Sequence, residues 1–296
     1  MKLFIVYNSH AANRRAGRIK NDIEKRFSEK RIQYNIEETQ YQGHAINLVA
    51  KKDLTAYDGI VAAGGDGTLF EVVTGYFKNA SDPRPPLGIL PIGTGNAFAR
   101  DMAETVPSWP DAVDIIIQGK TRAIDVGQFE TDNRKLYFLN ILGLGFVADV
   151  GKIAQGLKWL GNLSYTIGVL HQTLFLNATS MKITLDGKVI ERENIFVEIS
   201  NTRYTSNFFM APNARIDDGL FDVTLLGKMT RRQLLSAFPK VFTGEHIHLP
   251  LVEQIKAKHI VVESAVPKIL TPDGELLGVT PVSVECLHRA IEVFWP

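Results

Sequence analysis

The feature that most constrains the fold is a repeated order of apolar strand, glycine-rich turn and helix in the first third of the chain. "GIVAA" leads into "GGDGT" and a helix-compatible segment, and "PLGILP" leads into "IGTGN" and a second such segment. Alternating strands and helices predict a parallel sheet covered on both faces. Ligands bind such sheets outside the carboxyl ends of the strands, so we expect the two turns to share a ligand-binding edge.

The pattern changes near residue 121, after which short β-type segments dominate. This change predicts two domains, an α/β domain over residues 1–125 and a β-rich domain over residues 126–287. Asp186-Gly187 is a hairpin turn signal, and Thr230 is a candidate N-cap for a helix that continues to about residue 242. A second helical segment is predicted from Asp149 to about Asn177.

Composition excludes several classes of protein. The chain has 296 residues and a net charge of +1, so nothing in its overall charge indicates a nucleic-acid partner. No run approaches the roughly 20 apolar residues that a membrane-spanning helix needs. The single cysteine, Cys286, excludes an internal disulfide. We therefore expect a cytoplasmic protein whose membrane contact, where present, is peripheral.

The two turns predict a phosphate site. Glycines let the backbone approach a phosphate, and N–H groups at the following helix start donate to it. Thr68 and Thr94 add hydroxyl donors. Because a bare phosphate would repel the Asp66 carboxylate, we expect Mg²⁺ or a hydroxyl proton to be its partner. The alternative is a pair of tight turns that bind nothing. The pattern is neither a P-loop nor a dinucleotide fingerprint.

Four ordered motifs resemble those of the diacylglycerol kinase catalytic domain family, which includes bacterial lipid kinases and the sphingosine and ceramide kinases. They are "GGDGTLFEVVTG", "LGILPIGTGNAFARD", "APNARIDDGLFDV" and "PDGE", and together they extend over essentially the whole chain. The resemblance implies an ATP- and Mg²⁺-dependent lipid kinase. It also implies a nucleotide-binding α/β domain of the NAD kinase and diacylglycerol kinase type, a C-terminal β-rich sandwich domain, and a return of residues 288–296 to the first domain.

The resemblance also implies roles for particular residues. Asp273 matches the general base of bacterial members, and Asp66 matches the residue given that role in sphingosine kinases, so the choice between them stays open. Arg215, Asp218 and Leu220 match the ligands of a structural Mg²⁺, the first and last through backbone carbonyls. The positions implied or expected to bind ATP are Asn8, Thr39, Gly64, Gly65, Asp66, Gly67, Thr68, Glu71, Gly93, Thr94 and Asn96. We expect Glu71 to orient Mg²⁺ or a water, the alternative being a solvated helix position.

The chain departs from the family pattern at two places. The first loop reads "NSHAAN" without the usual proline and glycine, and Ala97 stands where diacylglycerol kinases carry aspartate. Ala97 resembles the sphingosine and ceramide kinases and favours a lipid alcohol other than diacylglycerol. The acceptor and the oligomeric state stay open. The alternatives are an NAD kinase and a non-catalytic module that binds nucleotide or lipid.

Two segments are candidates for transient contact with a membrane surface. "RRAGRIK" and the basic pairs after it are locally basic, which suits an anionic membrane surface. The alternative interpretation is a solvated helix face. The segment from Gly156 to Leu176 is apolar and aromatic, with Trp159, Leu160, Tyr165 and Phe175. It is interpreted either as a lid over a lipid or as a plain core helix.

Overall fold

The computed structural model describes residues 1–157 and 163–296. The chain divides into two compact units, one comprising Met1–Ile124 and Arg289–Pro296, the other comprising Asp125–His288. We refer to them as unit 1 and unit 2.

Unit 1 alternates strands and helices along the chain. Its elements are β1 (Lys2–Tyr7), α1 (Arg15–Glu29), β2 (Gln33–Glu38), α2 (His44–Lys51), β3 (Gly59–Gly64), α3 (Asp66–Lys78), β4 (Leu87–Pro91), α4 (Ala97–Ala103) and α5 (Trp109–Gln118). The four strands pair in parallel in the order β2–β1–β3–β4. Near the C-terminus, Val293 pairs with Leu87 of β4, also in parallel.

The central strands of unit 1 are buried throughout, as expected for a parallel sheet covered on both faces. The helices start and stop at local signals. Ser108 is the N-cap of α5, because its hydroxyl oxygen accepts a hydrogen bond from the backbone N–H of Asp111. Gly119 ends the helix with a positive φ of 69°. α1 buries Ala16, Ile23 and Phe27 in the core.

Unit 2 is rich in β-structure. Its strands lie between β5 (Thr121–Thr131), which begins in unit 1, and β14 (Val282–Phe294), which returns there. Between these two strands lie β6 (Arg134–Phe138), β7 (Ile141–Gly145), β8 (Thr179–Leu185), β9 (Lys188–Ser200), β10 (Phe221–Gly227), β11 (Val252–Ala257), β12 (His259–Ser264) and β13 (Leu270–Pro272). The helices are α6 (Phe146–Gly156), α7 (Leu163–Thr173) and α8 (Arg231–Ala237).

The long strand β9 organises unit 2. Its first half pairs with β8, and its second half lies between β10 and β7, all antiparallel. β11 pairs with β10, and β13 pairs with β7. The second half of β9 is therefore central, and all of its residues from Asn194 to Ser200 are buried.

Two sequence predictions in unit 2 are confirmed. Asp186 and Gly187 join β8 to β9 with φ of 47° and 87°, the left-handed conformations that a tight hairpin turn needs. Thr230 caps α8, and its capping box with Gln233 is complete. Strands β11 and β13 were not predicted, because the charged residues in the first and the Pro-Asp-Gly turn after the second hide the strand pattern.

The predicted helical segment from Asp149 to Asn177 corresponds to α6, which begins three residues earlier at Phe146, and to α7. An apolar cluster of unit 2 includes Phe146 and Val150 of α6 and Val169 of α7, packed with Phe196 of β9. These contacts support the core-helix interpretation for the inner faces of both helices. Trp159 and Leu160, with the side chain of Tyr165, lie outside the described residues.

Candidate functional site

The carboxyl ends of the parallel strands in unit 1 carry the predicted phosphate-site residues. Asn8 follows β1, and its backbone N–H donates to the carbonyl of Ala63 near the end of β3. Thr39 follows β2, and its backbone N–H donates to the carbonyl of Tyr7 at the end of β1. The first glycine loop (residues 64–68) comprises the last residue of β3, Gly65 and the start of α3, and the second glycine loop (residues 92–96) follows β4. The fold thus brings these segments to one edge of the sheet.

The two glycine loops touch through their backbones. Ile92 and Gly93 both donate their N–H groups to the carbonyl of Gly64. A Cβ added at Gly93 would lie 2.3 Å from Cα of Gly65, closer than any real contact. A side chain at Gly93 would force the loops apart, so this position requires glycine.

Asp66 joins the two loops through its side chain. Its carboxylate accepts hydrogen bonds from the backbone N–H of Ala97 at 3.1 Å and of Phe98 at 3.5 Å, at the start of α4. Burial of the carboxylate raises the pKa of Asp66, and these N–H donors oppose the shift. Asp66 is therefore a half-buried carboxylate that two backbone amides hold in a fixed position between the loops.

Two further polar contacts bear on nucleotide binding. Asn8 Nδ2 donates to Thr68 Oγ1 at 2.9 Å, so the Thr68 oxygen accepts and its hydroxyl hydrogen can be donated to a phosphate. Asn96 Nδ2 donates to the carbonyls of Pro91 and Gly93. Asn96 Oδ1 is buried and accepts no hydrogen bond from the residues described. An orphaned buried acceptor beside a glycine loop fits a ligand that supplies a hydrogen-bond donor.

Glu71 has a different environment from the one we expected. Its two carboxylate oxygens accept from the backbone N–H of Gly43 at 2.6 Å and of Ala45 at 3.1 Å. A carboxylate at the N-terminus of α2 satisfies amides that have no partner within the helix. Glu71 anchors α2 to α3 and is not a solvated helix position, while its role toward Mg²⁺ or a water stays a prediction. Thr94 is exposed in the second glycine loop.

In unit 2, Asp273 is held by three backbone amides. Leu139 donates to Oδ2 at 3.1 Å, and Asn140 and Ile141 donate to Oδ1 at 2.8 and 3.0 Å. Asp273 is 6% exposed and has a positive φ of 46°, immediately after β13. Such bonds stabilise the ionised carboxylate and fix its orientation.

The predicted Mg²⁺ ligands lie in the loop before β10. Leu220 N–H donates to Asp218 Oδ1 at 3.2 Å, and Lys256 Nζ donates to Asp218 Oδ2 at 2.7 Å. A carboxylate with backbone carbonyl oxygens, those of Arg215 and Leu220, is a donor set that suits a hard cation. Among the described residues, no three histidine, cysteine, aspartate or glutamate side chains come together as a metal-binding group. A metal here depends on carbonyl oxygens.

Sequence reasoning missed a buried carboxylate in β9. Glu198 is fully buried, and its Oε1 accepts from Thr205 Oγ1 at 2.7 Å and from Ser200 Oγ at 3.4 Å. Glu198 Oε2 has no hydrogen-bond partner among the residues described. Burial raises the pKa of Glu198 from 4.5 to about 7, against the effect of the two hydroxyls. The available signal was one glutamate inside the apolar run "IFVEIS".

Glu198 gives the protein a pH-dependent stability. The folded chain keeps this proton up to about pH 7, whereas the unfolded chain loses it near 4.5. The contribution of Glu198 to the free energy of unfolding is therefore greatest below about pH 4.5, and it is lost as pH rises through about 7. Between pH 5 and 8 we expect the unfolding free energy to fall by about 2–3 kcal/mol through this group. Urea unfolding of Glu198→Gln should lack that decrease.

The matched control for this experiment is Glu191→Gln, an exposed glutamate on the same strand. It should keep the wild-type pH dependence. The same decrease in Glu198→Gln as in the wild type would show that Glu198 is not the titrating group.

Two family models match the chain along nearly its whole length. Residues 2–129 match the diacylglycerol kinase catalytic domain. Residues 140–295 match the YegS C-terminal NAD kinase beta sandwich-like domain. The combination defines a kinase with an α/β catalytic domain and a β sandwich-like second domain, so the predicted fold class is confirmed.

Similar proteins extend the match. The diacylglycerol kinase of Bacillus subtilis (strain 168) is 30% identical over 295 residues, covering 99% of this chain and 95% of that protein. Sphingosine kinase 1 of Arabidopsis thaliana is 26% identical, covering 98% of this chain and 71% of that protein. The chain therefore belongs to the diacylglycerol kinase catalytic domain family of lipid kinases, as its motifs predicted.

Solved structures share the fold. One from Bacillus anthracis str. Sterne has a TM-score of 0.82 at 26% identity, covering 100% of this chain and 97% of that chain. The crystal structure of a diacylglycerol kinase from the same organism has a TM-score of 0.70 at 23% identity, covering 100% and 96%. Among the residues described in our structure, no helix is both long and apolar enough to cross a bilayer.

Proposed function

We propose that this kinase transfers the γ-phosphoryl group of ATP to the hydroxyl group of a lipid, with Mg²⁺ as cofactor. The observation that carries the proposal is the direct contact between the two glycine loops. Gly65 and Gly93 touch through their backbones, and the Asp66 carboxylate accepts a hydrogen bond from the start of α4. Membership in a kinase family implies ATP use. Backbone amides of the loops and the Thr68 hydroxyl are suited to hold phosphate oxygens. The proposed ATP-binding set is the one predicted from the sequence.

In the proposed reaction, ATP supplies the phosphoryl group and Mg²⁺ neutralises its charge. Asp273 accepts the proton of the acceptor hydroxyl, whose oxygen then bonds to the γ-phosphorus as the bond to ADP breaks. Three amide donors fix the orientation of this carboxylate, as the positioning of a base requires. Asp66 is the alternative base, and turnover of Asp273→Asn compared with Asp66→Asn separates the two.

Arg215, Asp218 and Leu220 are the proposed ligands of a structural Mg²⁺ in unit 2. The support is the donor chemistry of the loop, a carboxylate with adjacent backbone carbonyls. Asp125 orients the same loop by accepting from the N–H of Gly219 at 2.6 Å.

The proposed acceptor is a diacylglycerol-, phosphatidylglycerol- or sphingosine-like alcohol. Relatives that share 26–30% identity include both a diacylglycerol kinase and a sphingosine kinase. Ala97 N–H donates to Asp66, while its methyl group replaces the carboxylate that diacylglycerol kinases carry there. This replacement favours an acceptor other than diacylglycerol.

We also propose a transient contact with the membrane surface. Ile167 and Leu170 of α7 are exposed, as are Leu174 and Phe175 just after it. Exposed apolar side chains at these spacings suit insertion among lipid head groups. In and beside α1, Arg14, Arg15 and Arg18 are exposed. Lys20, Arg26 and Lys30, the last of which directly follows the helix, form ion pairs with carboxylates of the chain.

The proposal predicts transfer of label from γ-labelled ATP, with Mg²⁺, to a lipid in mixed micelles. The acceptors to compare are diacylglycerol, monoacylglycerol, phosphatidylglycerol, sphingosine, ceramide and NAD. We expect label in one lipid class, and the Asp66→Asn variant as a control should lose it. Label in NAD alone would favour the NAD kinase alternative. ATP binding without transfer to any acceptor would favour the non-catalytic module.

A further inference from the structure

A lysine lies between two carboxylates of unit 2. Lys256 of β11 is directly opposite Asp222 of β10 in the strand register. Its ammonium is 2.7 Å from Asp218 Oδ2 and 3.3 Å from Asp222 Oδ2. The Lys256 cluster, defined here as Lys256, Asp218 and Asp222, combines one positive with two negative charges.

The two carboxylates of this cluster differ in their surroundings. The Asp218 side chain is 21% exposed and also accepts from Leu220 N–H, so its loop fixes it. The Asp222 side chain is only 4% exposed, and among the residues described its Oδ2 has the 3.3 Å ion pair with Lys256 but no hydrogen bond. Burial raises the pKa of Asp222, and Lys256 opposes that shift. A buried carboxylate oxygen of this kind is stabilised when a cation approaches it.

The loop that carries Asp218 has an independent anchor. Asp125 is fully buried and accepts from Gly219 N–H at 2.6 Å and contacts His288 Nδ1 at 2.9 Å. The backbone of the loop is therefore fixed from the Asp125 side, so a change of partner at the Asp218 carboxylate does not require the loop to rearrange.

We propose that Lys256 competes with Mg²⁺ for Asp218, and that binding of the ion shifts the ammonium from Asp218 to Asp222. The inference rests on the proposed Mg²⁺ site of the preceding section. A carboxylate oxygen that binds a divalent cation repels an ammonium at hydrogen-bond distance. Asp222 lies close enough to receive the displaced ammonium with a change in the lysine side chain alone. Lys256 and Asp222 thus set the affinity of the site without being ligands.

The test is calorimetric titration of the nucleotide-free full-length chain with Mg²⁺, together with the Mg²⁺-dependent change in Tm. Lys256→Gln removes the competitor, and we expect its Mg²⁺ affinity to rise at least tenfold. Asp222→Asn leaves the ammonium on Asp218, and we expect affinity to fall at least threefold. Asp218→Asn should abolish the signal and so assign it to this site.

The double variant distinguishes exchange from a general charge effect. If Asp222 acts by receiving Lys256, Asp222→Asn has no further effect once Lys256 is glutamine. If both act only as distant charges, the two changes add. Lys258→Gln, an exposed lysine two residues along the chain, is the matched control and should leave the affinity within about twofold.

The possible results test the lysine exchange and the metal site separately. Non-additive effects of Lys256→Gln and Asp222→Asn support the exchange. Additive effects, or equal shifts in Lys256→Gln and Lys258→Gln, overturn it and leave the proposed metal site intact. Absence of Mg²⁺ binding in the wild type and in Lys256→Gln overturns the exchange and the metal site together. The lipid-transfer assay is independent of that result, so it tests the kinase activity separately.

Discussion

Replacing Asp273 with asparagine is expected to lower lipid phosphorylation at saturating ATP and lipid by about 100-fold or more. Asparagine cannot take the proton of the acceptor hydroxyl, and a positioned general base contributes roughly 10²–10⁴-fold to rate. ATP affinity should stay unchanged, because the residues proposed to bind ATP all lie in unit 1. Turnover and ATP binding are measured on the same preparation.

The substitution also affects folding. One carboxylate oxygen becomes an amide nitrogen, so one of the amide donors of Leu139, Asn140 and Ile141 loses its acceptor. We expect a loss of about 1–3 kcal/mol in unfolding free energy. Thr131→Val is the matched control, because Thr131 is buried in the same unit and its hydroxyl bonds to both backbone groups of Val279. It should cost similar stability and keep its turnover.

The comparison with Asp66→Asn identifies the base. If Asp273→Asn keeps more than a tenth of wild-type turnover while Asp66→Asn does not, the proton acceptor is Asp66. The raised pKa of Asp66, caused by burial, is compatible with that role. Loss of turnover in Thr131→Val as well would mean that reduced stability, and not base chemistry, explains the Asp273 result.

Gly93→Ala is expected to weaken ATP binding by about tenfold or more and to destabilise unit 1 by about 2–3 kcal/mol. The new Cβ would lie 2.3 Å from Gly65 Cα and 2.7 Å from Gly65 N. Both are backbone atoms, so no side-chain movement relieves the clash and the two glycine loops must separate. ATP titration and urea unfolding measure the two effects.

Gly151→Ala serves as the control for a glycine-to-alanine change. Gly151 lies inside α6, and within the described part of the chain a Cβ there has one neighbour within 4 Å outside the helix, Thr271 Oγ1 at 3.9 Å. Alanine favours a helix over glycine by up to about 1 kcal/mol, so we expect this variant to be neutral or more stable. Wild-type ATP affinity in Gly93→Ala would refute the contact between the loops as the basis of the phosphate site.

Much of the fold could be predicted from local sequence. Buried strands followed by glycine turns identified the α/β architecture, since strand burial and turn conformation depend on a few neighbouring residues. The Asp186-Gly187 hairpin and the Thr230 cap are local for the same reason. β11 and β13 were missed because each is recognisable only by the strand it pairs with.

The candidate site was predictable in its residue types but not in its partners. The glycine loops, Asp66 and Asp273 stand out in sequence. That Asp66 bonds to the start of α4, 31 residues away, and that Glu71 anchors α2, 26 and 28 residues away, depends on how the helices pack. The same applies to Asp273, whose partners are more than 130 residues distant.

The sequence by itself determined where the chain turns tightly, where it needs glycine and which carboxylates stand beside those turns. Only the tertiary structure decided which carboxylates are buried and what neutralises them. Glu198 is an ordinary glutamate in the sequence, and the central position of β9 excludes it from water. Lys256 meets Asp218 and Asp222 only because β10 and β11 pair in one register. Local conformation acts over a few residues, whereas desolvation and charge pairing act through space, between segments that folding alone brings together.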